Sequence, residues 1–122
     1  VPARLLETRA GLPTVDGQFQ GGGPVGRGST LTLTVNGRGG VPGNADSVVL
    51  NVTATEAAGP GYITVYPCGQ PQPVASSLNY STGQTVPNSV IAKVGSNGSV
   101  CLFASEATHL IADVAGYFPP AP

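Results

Sequence analysis

The sequence predicts an all-β fold, an antiparallel β-sandwich or barrel of about eight short strands, and three observations carry that expectation. Apolar and polar residues alternate with period two in several short segments. Clusters of Gly, Pro, Asn and Ser separate those segments. No window shows the apolar spacing of an amphipathic helix.

The elements follow in order. Residues 4–9, Arg-Leu-Leu-Glu-Thr-Arg, offer a first short strand, whereas Gly21-Gly22-Gly23-Pro24 cannot hold one and reads as loop. From 30 to 35, Leu31, Leu33 and Val35 point inward and Thr30, Thr32 and Thr34 outward, and Asn36-Gly37 then supplies a turn. Over 47–55 the pattern is clearer: Val48, Leu50, Val52 and Ala54 share one face, with Asn51, Thr53 and Thr55 on the other. Gly59-Pro60-Gly61 interrupts the run, and 62–66 resumes it with Ile63 and Val65 inward, which predicts a hairpin between 47–55 and 62–66. A proline-rich stretch over 67–73 follows. Short strands are then expected near 76–80, 89–94 and 99–104, with Gly95-Ser96-Asn97-Gly98 as a loop, and a last strand spans 109–118. The chain of 122 residues suits one β domain over 1–118, with a proline-rich linker stub over 119–122. It reads as a unit of a longer secreted protein, or as a processed protomer.

The two cysteines, Cys68 and Cys101, each border or sit in a strand segment, so one disulfide could staple two strands. Two buried thiols are the alternative. With no Met, no Trp and only 9% charged residues, the pair favours an oxidising, extracellular or cell-surface setting. No Cys-x-x-Cys arrangement suggests redox chemistry. Five Lys and Arg against six Asp and Glu form no basic stripe, which argues against nucleic acid and anionic membranes as partners. No apolar run approaches the roughly 18 residues of a membrane-inserting segment.

Several phrases stand in a fixed order: Arg4-Leu5-Leu6-Glu7-Thr8-Arg9, Val49-Leu50-Asn51-Val52-Thr53-Ala54-Thr55, Gly61-Tyr62-Ile63-Thr64-Val65-Tyr66-Pro67, Ser77-Leu78-Asn79-Tyr80, Gly83-Gln84-Thr85-Val86-Pro87-Asn88 and Leu110-Ile111-Ala112-Asp113-Val114-Ala115-Gly116-Tyr117-Phe118. Together they resemble an uncharacterised all-β module that recurs in secreted and surface proteins of actinobacteria and other bacteria. Glu7 stands where that module frequently has aspartate. The resemblance implies an accessory, non-catalytic role and transfers no binding residue.

The candidate chemistry is sparse. The one histidine, His109, lies in phase with Asp113 on one strand, roughly 13 Å away by strand rise, which is too far for a Ser-His-Asp relay. A polar strand end suits it better, and no enzyme activity, cofactor or metal set is expected. Asp113 sits among apolar neighbours, so its carboxylate requires a partner, for which Arg4, Arg9 and Lys93 are the candidates. Tyr62, Thr64 and Tyr66 alternate with core residues, and an outer face of aromatic rings and a hydroxyl suits a sugar. Asp16-Gly17, Asn44-Ala45-Asp46 and Asn97-Gly98 carry oxygens of the kind calcium binds, but read as turns. The expected function is a non-catalytic, extracellular structural or self-associating surface module, whose partners are like modules or other surface proteins. The alternative is an accessory module of a secreted hydrolase that binds carbohydrate or a cell-wall polymer.

Overall fold

A computed structural model describes residues 2–120. These residues form eight strands: β1 (Ala3–Glu7), β2 (Ser29–Thr34), β3 (Ser47–Thr55), β4 (Gly61–Pro67), β5 (Leu78–Tyr80), β6 (Val86–Lys93), β7 (Ser99–Ala104) and β8 (His109–Phe118). They lie in two four-stranded sheets, ordered β1-β8-β3-β6 and β2-β7-β4-β5, with every ladder antiparallel. The sheets do not close on each other, so the fold is a sandwich and not a barrel. Among the described residues the only helical element is a turn of 3₁₀ helix at Ser96–Gly98. Of residues 119–122, expected to be a linker stub, Pro119 and Pro120 follow β8 without regular structure, and the remainder lies outside the described residues.

The period-two patterns become the inner faces. Val48, Leu50, Val52 and Ala54 of β3 and Leu110, Ala112 and Val114 of β8 pack toward Leu33 of β2, Ile63 of β4 and Val100, Leu102 and Ala104 of β7. Tyr80 enters this core with its ring, and its hydroxyl donates to the Glu106 carbonyl at 2.6 Å, so the buried phenol is satisfied.

The expected hairpin between β3 and β4 does not form, because the two strands lie in different sheets. Both β3 ends in buried residues, Ala54 and Thr55, and Ala57 beyond them is buried too, so the chain dives across the core at this corner instead of folding back on itself. A turn signal between two amphipathic strands reads the same in both cases. Alternation names the buried face of a strand but not the sheet that holds it. Only β4 and β5 are consecutive strands of one sheet; every other connection crosses from sheet to sheet.

The first strand carries a bulge between Arg4 and Leu6, which lets the consecutive side chains of Leu5 and Leu6 both reach the interior. The loop between β2 and β3 packs on this spot. Gly39 there has φ +59°, and a Cβ would lie 2.9 Å from Leu5 Cδ2 and 3.0 Å from Ala3 Cβ, so glycine is required by conformation and by contact.

Candidate functional site

The cations of this protein pair with its carboxylates. Each of its five Lys and Arg residues takes part in an ion pair: Arg4, Arg9, Arg27, Arg38 and Lys93. Arg4 and Asp113 are direct cross-strand partners on β1 and β8, and Arg4 Nε donates to Asp113 Oδ1 at 2.9 Å while Nη2 reaches Oδ2 at 3.4 Å. Arg4 is therefore the partner that Asp113 was expected to need. The other two candidates go elsewhere. Lys93 Nζ donates to Asp46 Oδ1 at 2.8 Å, and Arg9 donates through Nε and Nη2 to Glu7 at 3.0 and 2.8 Å. The reason is the sheet order. β3 separates β8 from β6, so Lys93 cannot reach Asp113, and Arg9 has already left the end of β1.

Sequence reasoning missed two charged residues of this network. Glu7 has 0% exposure and accepts from the Arg9 side chain, the Arg9 backbone N–H and Arg4 Nη1. Burial alone would raise its pKa, but the hydrogen bonds from Arg9 and the charges of Arg9 and Arg4 outweigh that and hold it below the usual carboxylate range. Arg38, whose side chain is 4% exposed, donates to both oxygens of Asp16 at 2.8 Å. It also donates to the carbonyls of Thr34, Leu5 and Gln18, at 2.8, 2.9 and 3.2 Å, and stacks on Phe19 with 4.9 Å from the guanidinium carbon to the ring centroid. Arg38 thus ties β1 of one sheet to the end of β2 in the other. The available signal was its setting in Gly37-Arg38-Gly39-Gly40, an arginine presented by glycines that allow close approach.

A pH dependence follows from these pairs. Hydrogen bonds from Arg38 lower the Asp16 pKa, and hydrogen bonds from Lys93 and Ser47 lower that of Asp46, as the Arg9 contacts do for Glu7. Folded-state values below unfolded ones mean that the stabilisation is fully present above about pH 4 to 5 and is lost as pH falls through the folded-state values. The thermal midpoint should therefore stay level from about pH 7 to pH 5 and fall steadily below about pH 4. Differential scanning calorimetry across that range checks it, and a midpoint that holds or rises on acidification would contradict the assignment.

His109 is engaged with Thr8, with Nδ1 2.8 Å from Thr8 Oγ1, and that hydroxyl oxygen also accepts the Leu110 N–H at 2.9 Å. Of the turns considered for calcium, Asp16 is occupied by Arg38 and Asp46 by Lys93 and Ser47.

The disulfide joins Cys68 to Cys101. Val100 and Leu102 are fully buried on the inner face of β7, so Cys101 between them points to the outer face of its sheet, where Thr32, Tyr66 and Phe103 also project. The bond therefore ties the start of the loop after β4 to the outer surface of β7, instead of joining two strands. Cys68 stands just past β4, next to β7 in the ladder, and the chain beyond it lies back over β4. Thr64 Oγ1 donates to the Ala75 carbonyl at 2.9 Å, Ser77 N–H donates to the Ile63 carbonyl at 2.8 Å, and Val65 N–H donates to Ser77 Oγ at 3.0 Å.

That loop changes the expected Tyr62, Thr64, Tyr66 face. Thr64 is 1% exposed under Ala75 and its hydroxyl is used internally, and Tyr66 is half-buried beside the disulfide. Tyr62 alone of the three stays open, 39% exposed, with its ring braced against Phe103 at 6.0 Å between centroids. Sequence alternation missed this because it cannot foresee the loop after β4 folding back over that strand's outer face.

No helix among the described residues is long and apolar enough to cross a membrane. No known family model matches the chain, and no curated protein shows significant similarity to it.

Proposed function

We propose that this protein is a non-catalytic, extracellular structural module that associates with like modules at the cell surface. The observation that carries this reading is the edge of β2, open along Thr30 and Thr32, with only the Thr34 carbonyl at its end taken, by Arg38. Its residues, Ser-Thr-Leu-Thr-Leu-Thr, contain no proline and no charge, and the strand ends its sheet with Thr30 and Thr32 exposed and Leu31 only half-buried. An edge of that composition is a template for another strand.

The other three edges are guarded. β1 is covered by the segment after it, through Val15 N–H to the Arg4 carbonyl, Glu7 N–H to the Phe19 carbonyl and Gly21 N–H to the Glu7 carbonyl. β5 has only 3 residues, and β6 carries Pro87 and ends in Lys93. The disulfide suits an oxidising compartment, and the resemblance to modules of secreted proteins points the same way. With its cations paired internally, the surface has little charge to keep like copies apart.

Sedimentation velocity over a concentration series tests the reading. The wild type should form dimers or larger species, and Thr30→Lys with Thr32→Lys, both on exposed positions, should return it to monomer while leaving its thermal midpoint within about 2 °C. A wild type that stays monomeric at high concentration would sink the proposal.

A further inference from the structure

The second sheet has another open feature at the side away from β2. The order β2-β7-β4-β5 places β4 and β5 at the opposite end, and there Tyr62 and Asn79 are cross-strand partners on the outer face. The loop that follows Cys68 rises beside them. Tyr62, Gln72, Val74, Ser76 and Asn79 line a groove of about 420 Å³ between sheet and loop. All five of these residues are exposed.

Three properties define what the groove can hold. First, none of its lining residues carries a charge, so a charged ligand would find no counter-ion to offset its lost hydration. Second, the lining alternates apolar faces with neutral hydrogen-bonding groups. The Tyr62 ring and the fully exposed Val74 stand beside the amides of Gln72 and Asn79 and the hydroxyl of Ser76. A pyranose has the matching composition, with C–H faces that stack on an aromatic ring and a rim of hydroxyls that both donate and accept. Third, both walls are held in place before anything binds. Phe103 braces the Tyr62 ring, and the loop wall is fixed by the Cys68–Cys101 bond at one end and by the Thr64, Ala75, Ile63 and Ser77 hydrogen bonds at the other. A preformed groove of this size meets the general requirements of a ligand site and avoids much of the ordering cost of binding.

We infer that this groove binds a neutral polysaccharide, with one sugar ring stacked on Tyr62 and its hydroxyls bonded to Asn79, Ser76 and Gln72. Thr64 and Tyr66 take no part. The site lies on the opposite side of the sheet from β2, so sugar binding and association through β2 are separable, and either can fail without the other.

The test is an amide NMR titration of the wild-type chain with neutral oligosaccharides derived from cellulose, xylan, chitin and starch. At least one should shift resonances of Tyr62, of residues 72–76 and of Asn79, with a Kd in the range of about 0.1 to 1 mM expected of a single-ring stacking site. Tyr62→Ala should weaken that binding at least about tenfold and Asn79→Ala several-fold, while Tyr117→Ala, on β8 of the other sheet, should leave it unchanged. Both groove substitutions fall at exposed positions, and a dispersed spectrum confirms that each variant is folded. The inference is overturned if no oligosaccharide shifts these resonances, if the shifts map to another face, or if Tyr62→Ala binds as the wild type does.

Discussion

Arg38→Ala should be the most damaging single substitution in this protein, lowering its stability by about 3 to 5 kcal/mol, as expected when one member of a buried ion pair is removed. Several losses coincide. The Asp16 carboxylate loses both guanidinium bonds, the carbonyls of Thr34, Leu5 and Gln18 lose a donor, and Phe19 loses the group stacked on it. The Leu5 carbonyl lies at the β1 bulge, so the damage falls where the two sheets are tied together. Arg38→Met separates packing from polarity. It keeps most of the volume but none of the donors, and should recover no more than about 1 kcal/mol of the loss. For a chain of this size the alanine variant's melting temperature should drop by roughly 10 to 20 °C. Urea unfolding measures the difference, and a change below about 1 kcal/mol would show that water replaces these bonds at little cost.

Loss of the disulfide should rank next. The bond spans a sequence separation of 33, for which the loop-entropy model gives about 3 to 4 kcal/mol of stabilisation, acting through the unfolded chain. Net stabilities of domains are about 5 to 15 kcal/mol, so Cys68→Ala with Cys101→Ala should leave a folded but weakened sandwich. The damage should also have a location. Cys101 lies on the outer face, so the core behind it, Val100 and Leu102 included, keeps its packing, while the loop over 68–77 loses its covalent seat. Hydrogen exchange should accelerate in that loop and stay slow in β3 and β8. Equal stability in the double variant, or uniform acceleration across both sheets, would rule out this picture.

Much of the fold was legible in the sequence. The bounds of β3, β7 and β8 are those expected from alternation and flanking turn residues, because β3 and β7 each bury one face completely and β8 does so from Leu110 to Val114. β6 begins earlier than expected, at Val86. Pro87 is tolerated there because β6 is an edge strand, a property of sheet order that a local pattern does not contain. The site was less legible. Arg4 was among the partners expected for Asp113, and an arginine suited a bidentate contact better than Lys93, but nothing in the sequence distinguished Arg4 from Arg9. Glu7 and Arg38 were overlooked as buried charges because in sequence they stand in a polar strand end and a glycine turn.

The sequence by itself determined the class of this protein: strands from alternation, the faces that form the core, and a composition that leaves no basic surface. Those are short-range properties, set by side-chain period and turn chemistry. Tertiary structure alone decided that β3 and β4 part into different sheets, that Arg38 clamps one sheet to the other, and that β2 is the unguarded edge. It also placed the disulfide on the outside, where the tethered loop covers Thr64 and leaves Tyr62 open. Each of these depends on tertiary contacts that no local pattern specifies. Alternation constrains which face is buried, and the packing of the two sheets and their loops selects the partner.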